Sequence, residues 1–240
     1  QDIKRSNVII MNDITYDLLN SRLKKINWNK TILKRNLRAL VKERKLLIPE
    51  EHFFWINGLL SIGVLSYIKE FRLGEYIIAL HKFYHSFKIK QRIRFKCFYL
   101  PDQIIHANVL LELYKQDHIE FLELIKEAEM FIKKESQNDP NLLIQYRGKD
   151  FDFYIDSLGM IIGFCLNYGK YFHDEQMIKI GLAQMNFVLQ NCMNELSHLP
   201  YHIYKNTEKK AFGPWSWGRG IGWYLIGLTE ILVERSEEHT

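Results

Sequence analysis

IDSLGMIIGFCLNYGKYF, at residues 155–172, is a mostly apolar stretch with the residue spacing of an α-helix. A helix that is apolar on nearly all sides is buried in the interior of a domain. A more mixed helical pattern follows, from Asp174 to Asn191. Together the two stretches predict a helical hairpin with one buried and one half-buried member.

The same alternation recurs along the chain. Charged, amphipathic helical stretches such as residues 119–134 accompany the apolar ones, and long alternating runs typical of strands are nearly absent. The strongly apolar helices are expected to begin at a spacing of about fifty residues, near Trp55, Asp102, Asp156 and Trp217. The sequence therefore predicts an all-α fold of stacked hairpins, each burying its apolar face against its neighbours.

The charged residues nearer the N-terminus follow helical patterns too. Residues 12–47 are apolar at helical spacing on a charged background, and residues 72–98 form a more basic helical region. The net charge is +5, and the basic residues alternate with apolar ones as on a solvated helix face. Nucleic-acid binding would need a basic stripe with exposed aromatic residues, so we expect no nucleic-acid partner.

The cysteines and the apolar runs bear on where the protein resides. Cys97, Cys165 and Cys192 are far apart and lack a metal-binding spacing, so we expect three reduced thiols and a cytoplasmic location. No membrane span is predicted, because the most apolar run, residues 53–68, is interrupted by Asn, Gly and Ser.

The two ends of the chain have unusual features. It begins at Gln1 rather than methionine, so the natural start is expected to be missing. Its last six residues, RSEEHT at 235–240, match the translation of a common sequencing adapter. We therefore expect one domain over residues 1–234, truncated at its C-terminus, followed by a non-native tail at 235–240.

FGPWSWGRGIGWYLIGLTEIL, at residues 212–232, combines tryptophans, glycines and one arginine before an apolar helix. Trp215, Trp217 and Trp223 offer stacking surfaces, and Arg219 offers a fork of donors suited to a carboxylate. This combination predicts a pocket for an acidic sugar. The alternative is a tight entry into a buried helix, with the tryptophans as core residues.

Two aspartates begin successive buried helices. If the hairpins close into a ring, Asp102 and Asp156 lie at one mouth with the Trp217 loop, near Trp55. Two carboxylates facing aromatic residues and an arginine are suited to acid/base chemistry on a sugar. The alternative is that both aspartates only cap their helices.

WGRGIGW, at residues 217–223, resembles the WxRGNGW signature of the unsaturated glucuronyl and rhamnogalacturonyl hydrolases, glycoside hydrolase families 88 and 105. Four other segments resemble these families in the same order along the chain. They are FFWINGLLSIGVL, PDQIIHANVLLELY, IDSLGMIIGF and LPYHIY. The resemblance spans roughly residues 55–232.

The resemblance implies an (α/α)6 barrel that hydrates a 4,5-unsaturated uronic acid at the non-reducing end of an oligosaccharide. Asp156 would be the general acid and then the base, and Asp102 would bind ring hydroxyls and help to keep the proton on Asp156. The residues expected to bind the substrate are His202, Arg219, Trp217, Trp223 and Trp55. No metal, organic cofactor, nucleic acid or membrane is implied.

The chain also departs from the family pattern. Ile221 stands at the position of the family's usual Asn. Lys205 stands where an acidic residue often follows the Tyr-His loop, and Gly159 stands where a larger side chain is common in the family. Four buried helices are visible where a closed barrel needs six, so we expect the barrel to be incomplete in this chain. Two alternatives stay open: another (α/α)6 sugar-active enzyme, such as an epimerase or a different glycosidase, and a non-catalytic carbohydrate-binding or helical-repeat scaffold.

Overall fold

The computed structural model describes residues 55–71, 77–91, 97–146 and 152–237. The chain divides into two compact units, residues 1–97 and 98–240. The expected single domain over residues 1–234 stays a prediction. The helical pattern of residues 12–47 and the last three residues of the tail lie outside the described residues.

The first unit contains α1 (Trp55–Glu70) and α2 (Ile78–Gln91). Both helices were predicted from the apolar spacing. In α1, the buried Ser61 hydroxyl donates a hydrogen bond to the backbone oxygen of Asn57, at 2.8 Å. In α2, Leu80, Phe83 and Tyr84 are fully buried. Burial raises the pKa of the Tyr84 phenol, so this residue acts as a core side chain.

The second unit has five helices and three short strands among its described residues. The helices are α3 (Ile104–Tyr114), α4 (Leu122–Ser136), α5 (Asp156–Phe172), α6 (Glu175–Asn191) and α7 (Gly218–Glu237). The strands are β1 (Phe153–Tyr154), β2 (Ile203–Lys205) and β3 (Lys210–Phe212). Single 3-10 turns, Pro101–Gln103 and Ile119–Phe121, precede α3 and α4. Each predicted helix start is within a few residues of the observed one.

The helix α5 is the centre of the second unit. It packs against α3, α6 and α7, while α4 packs against α3 and α6. Most of its residues are buried, which confirms that the apolar stretch at 155–172 is an interior helix. The helices therefore form two rows, with α3, α5 and α7 in one and α4 and α6 in the other. This is the arrangement of paired helices that the alternating pattern predicts. Within the first row α3 and α5 are buried, whereas α7 is half-buried and exposes Leu225, Leu232 and Val233, so it is less buried than its apolar pattern predicts.

Glycines allow α5 and α7 to approach closely. A Cβ atom built on Gly159 of α5 would lie 2.6 Å from Trp223 Cε3 and 2.7 Å from the Trp223 backbone oxygen. A Cβ atom on Gly227 of α7 would lie 3.1 Å from the backbone oxygen of Leu158. Because any larger residue would push the helices apart, Gly159 is explained by the position of Trp223.

Ion pairs join the outer helices α4 and α6. Lys133 Nζ lies 2.6 Å from Asp174 Oδ2 and 2.8 Å from Glu129 Oε1. The other Asp174 oxygen accepts the Met177 backbone N–H at 3.2 Å and so caps α6. Burial opposes ionisation of Asp174, but these hydrogen bonds outweigh it and lower the pKa of its carboxyl.

The three strands form an antiparallel sheet in the order β1, β2, β3. Phe153 pairs with Tyr204, and Ile203 pairs with Phe212. These strands were not predicted from the sequence, because segments of two or three residues carry no measurable alternation. The sheet nevertheless determines which residues meet at the start of α5.

The three cysteines are free and buried, which confirms that they are reduced thiols. Burial raises the pKa of the Cys192 thiol to about 12. Within the described ranges, no helix has both the length and the apolar character that a membrane span requires.

Candidate active site

The sheet brings residues from three separate segments together at the start of α5. Beyond the β1–β2 pairs, the ladder continues with the Ile155 N–H donating to the His202 backbone oxygen at 3.2 Å. His202 therefore lies opposite Ile155, next to Asp156, the first residue of α5. Gly213 follows β3 on the other side, where a Cβ atom would lie only 3.3 Å from His202 Cβ. Its φ of 86° favours glycine at this position.

The carboxyl group of Asp156 is held at both oxygens. His202 Nε2 lies 3.1 Å from Oδ2, and Arg219 Nε lies 3.3 Å from Oδ1. The Asp156 side chain is only 10% exposed. Two contacts on opposite oxygens fix the plane of the carboxyl group. A group that transfers protons to a bound molecule needs such a fixed orientation.

The first residues of α7 complete the arrangement. The guanidinium carbon of Arg219 lies 4.0 Å from the centre of the Trp217 ring, which is a cation–π distance. The same indole meets the His202 ring edge-on, with centroids 4.0 Å apart. A Cβ atom on Gly220 would lie 3.0 Å from Trp217 Cε3, so glycine lets the indole fold against the helix start. We call Asp156, His202, Trp217 and Arg219 the Asp156 cluster.

Two tyrosines extend this cluster. The Tyr154 ring lies 5.5 Å from His202, and the Tyr146 ring lies 5.3 Å from Tyr154. Burial raises the pKa of Tyr146 well above its usual value, and the negative charges of Asp102 and Asp156 raise it further. Tyr146 therefore stays a neutral phenol, and both aspartates lie close enough to act on it.

The histidine is neutral in this environment. Burial lowers the pKa of His202, and the charge of Arg219 acts in the same direction, outweighing the opposite effect of Asp156. A neutral imidazole can donate from Nε2 to the carboxylate, a tautomer that we assign from the hydrogen bond. The cluster then contains one carboxylate, one guanidinium and one neutral donor.

Asp102 lies in the 3-10 turn Pro101–Gln103, which packs against α5. The capping hydrogen bonds at this turn come from Gln103, whose side-chain oxygen accepts the N–H groups of Tyr99 and Leu100 at 2.8 and 2.9 Å. The side chain of Asp156 likewise contacts His202 and Arg219. These contacts favour the functional interpretation of Asp156 over the capping one.

The two remaining tryptophans have different surroundings. Trp223 is 2% exposed and packs at Gly159 of α5, so its contacts are those of a core residue rather than of a stacking surface. Trp55 begins α1 in the first unit and is half-buried, and its role stays a prediction. Sequence reasoning missed Tyr146 and Tyr154 as site residues, because single aromatics in short segments carry no distinguishing pattern.

Comparison with known proteins identifies the family. The sequence profile described as Glycosyl Hydrolase Family 88 matches residues 27–240. The chain belongs to glycosyl hydrolase family 88. No curated protein matches the sequence significantly.

A solved structure agrees with the fold of this family 88 chain. It is a family 105 glycoside hydrolase from C. acetobutylicum ATCC 824, with a TM-score of 0.56 and 17% sequence identity. The match covers 83% of the family 88 chain and 58% of that structure. At this identity the likeness concerns the fold alone, and it confirms the all-α architecture that resembles an (α/α)6 barrel.

Two departures of this family 88 chain lie near the cluster. Ile221 is half-buried one turn after Trp217, whose backbone oxygen accepts the Ile221 N–H at 3.1 Å. Lys205 Nζ pairs with Glu208 at 3.2 Å and lies 4.9 Å from the centre of the Phe212 ring. Lys205 thus belongs to the β2–β3 hairpin surface.

Proposed function

We propose that the protein hydrates the 4,5-double bond of an unsaturated uronic acid at the non-reducing end of an oligosaccharide. The observation that carries this proposal is the buried Asp156 carboxyl, with His202 at one oxygen and Arg219 at the other. Membership of family 88 supports a glycoside as the substrate class. The likeness of WGRGIGW to the unsaturated uronyl hydrolase signature supports the unsaturated uronide.

The reaction begins with a proton transfer. Asp156, in its protonated form, donates a proton to C4 of the enol-ether double bond, which leaves positive charge shared by C5 and the ring oxygen. The Asp156 carboxylate then takes a proton from water as the water oxygen bonds to C5. The resulting hemiketal opens, and the hemiacetal formed at C1 releases the rest of the oligosaccharide. The sum of these steps is the addition of one water molecule.

The neighbouring residues supply orientation and charge. His202, as a neutral donor, holds one oxygen of Asp156. Trp217 offers a half-buried indole for stacking on the sugar ring, and the Arg219 guanidinium is suited to the uronate carboxylate. Asp102 accepts hydrogen bonds from ring hydroxyls. Its negative charge also favours retention of a proton on Asp156, because two nearby carboxylates avoid sharing negative charge.

Loss of the double-bond absorbance of unsaturated uronyl disaccharides tests the proposal on the full-length protein. The Asp156→Asn variant keeps the shape of the side chain but cannot transfer the proton. We expect kcat to fall by a factor of about 10²–10⁴. The matched control is Asp117→Asn, an exposed site with φ of 67° that asparagine tolerates well. This control is expected to keep full activity.

Two outcomes contradict the proposal. Equal activity in the wild type and Asp156→Asn would remove Asp156 from the chemistry. A folded protein with no activity on a panel of unsaturated disaccharides would instead favour the non-catalytic carbohydrate-binding scaffold. Far-UV circular dichroism of each variant shows whether the protein is folded.

A further inference from the structure

The contact between Arg219 and Asp156 conflicts with the first step of the proposed reaction. A guanidinium 3.3 Å from a carboxyl oxygen favours the ionised carboxylate. The reaction, however, begins with a proton that Asp156 donates. The contact must therefore weaken before the proton is transferred.

The position of Arg219 allows that change. Its side chain is 52% exposed, whereas that of Asp156 is 10% exposed. The guanidinium carbon lies 4.0 Å from the centre of the Trp217 ring, so the side chain can move over the indole while it keeps the cation–π contact. Its planar set of donors matches a carboxylate better than a single Nε contact does. A carboxylate bound at the indole would therefore compete with Asp156 for the guanidinium.

We propose that Arg219 is shared between Asp156 and the carboxylate of the bound uronic acid, so that substrate binding itself protonates Asp156. The incoming carboxylate draws the guanidinium away and adds a second negative charge near Asp156. Both changes favour the protonated acid. One proton moves from solvent to Asp156 on binding, and Asp156 then donates this proton to C4. This inference rests on the proposed function and adds a coupling between recognition and chemistry.

Among the groups around Asp156, this aspartate is the one expected to take up the proton on binding. His202, from the segment leading into β2, and Arg219 of α7 contact its carboxyl group. Tyr146, from the loop before β1, lies within reach of the charges of both Asp156 and Asp102, and the Tyr154 ring of β1 contacts His202. The pKa of Tyr146 is raised by burial and that of His202 is lowered by burial, so both stay neutral near neutral pH. Asp102 is the remaining competitor for the proton, and variants distinguish it from Asp156.

Calorimetry of a saturated uronic acid tests the coupling without any reaction. Binding of glucuronic acid is measured near neutral pH in two buffers with different heats of ionisation, which gives the number of protons taken up. We expect close to one proton per glucuronic acid bound by the wild type. We expect almost none for Asp156→Asn, which keeps the binding groups, and unchanged uptake for the matched control Asp117→Asn. The methyl ester of glucuronic acid, which lacks the charge, is expected to cause no uptake.

A kinetic measurement shows whether Arg219 couples substrate binding to protonation of Asp156 or only binds the substrate. In the wild type, the alkaline limb of kcat for an unsaturated disaccharide is expected at a higher pH than that of kcat/KM, because the two report the bound and the free enzyme. In Arg219→Gln the separation of the two limbs is expected to shrink, because only the charge of the substrate carboxylate then acts on Asp156, whereas a purely structural role would leave the separation unchanged.

The proposal is overturned if glucuronic acid binds without proton uptake, if it fails to bind, or if Asp156→Asn shows the same uptake as the wild type. The calorimetric result and the hydration assay can fail independently. Hydration without proton uptake would overturn only the coupling. Proton uptake without hydration would overturn only the proposed reaction.

Discussion

Replacement of Gly159 by alanine tests the close approach of α5 and α7, on which the Asp156 cluster depends. The new Cβ atom would lie 2.6 Å from Trp223 Cε3, 2.7 Å from the Trp223 backbone oxygen and 3.2 Å from Ile226 Cβ. The indole could rotate, but the backbone oxygen belongs to a helix and cannot move alone. The two helices must therefore separate, and α7 carries Arg219 one turn before Trp223.

The expected loss of stability follows from two opposing effects. Extra atoms in a packed core cost about 1–3 kcal/mol, and a clash with helix backbone favours the upper value, about 3 kcal/mol. Alanine is better than glycine inside a helix by about 1 kcal/mol. The net loss is about 2 kcal/mol, which corresponds to a fall in Tm of about 4–8 °C for a chain of this length.

Thermal unfolding followed by circular dichroism measures this loss, with Gly222→Ala as the control. Gly222 lies in α7, and a Cβ atom there meets no atom of the described residues within 4 Å. The control is expected to gain about 0.5–1 kcal/mol, because alanine restricts the unfolded chain. Equal Tm values for Gly159→Ala and Gly222→Ala would refute the packing argument. We also expect Gly159→Ala to lower the hydration rate, since separation of the helices moves Arg219 and Trp217 from the positions in which they would hold the substrate.

Two further predictions concern pH and capping. On acidification from about pH 7.5 to about pH 5.5, the wild type is expected to lose more stability than His202→Gln in urea unfolding. Burial lowers the pKa of His202, so the unfolded chain takes up a proton near pH 6.5 that the folded chain does not. Parallel losses in the two proteins would contradict this. Asp174→Ala is expected to destabilise the chain by about 1–2 kcal/mol, because it removes the cap of α6 and the partner of Lys133. Asp174→Asn keeps the cap and is expected to cost less, and equal Tm shifts would show that the cap contributes nothing.

The helices could be predicted from the sequence because their signal is local. The residues that face the core recur at helical spacing within each segment, so α5 and its partner α6 are visible in residues 155–191 alone. Asp156 could be chosen for the same reason, since it stands at the start of an apolar helix, whereas Arg219 was chosen as a carboxylate-binding side chain in a stretch rich in tryptophan and glycine. A helix start is defined by neighbouring residues, and no distant contact is needed to find it.

The short strands and the residues that they align could not be predicted in this way. His202 was chosen by resemblance, but it lies 46 residues from Asp156 in the chain, and its position beside that aspartate depends on the pairing of β1 with β2. Tyr154 joins the cluster through that same sheet, and Tyr146 joins it through its ring contact with Tyr154. For Trp223 the sequence left two interpretations open, core or stacking surface, and contact with Gly159 of α5 favours the core.

The sequence by itself determined the helical hairpins, their buried and half-buried members, and the residue types available for chemistry. These depend on local spacing, because each helix hydrogen-bonds within its own segment. Only the tertiary structure decided which side chains meet. The register of a small sheet set His202 against Asp156, and the close packing of α5 on α7 brought Arg219 to the other oxygen. Such contacts join residues far apart in the chain, so no local pattern records them.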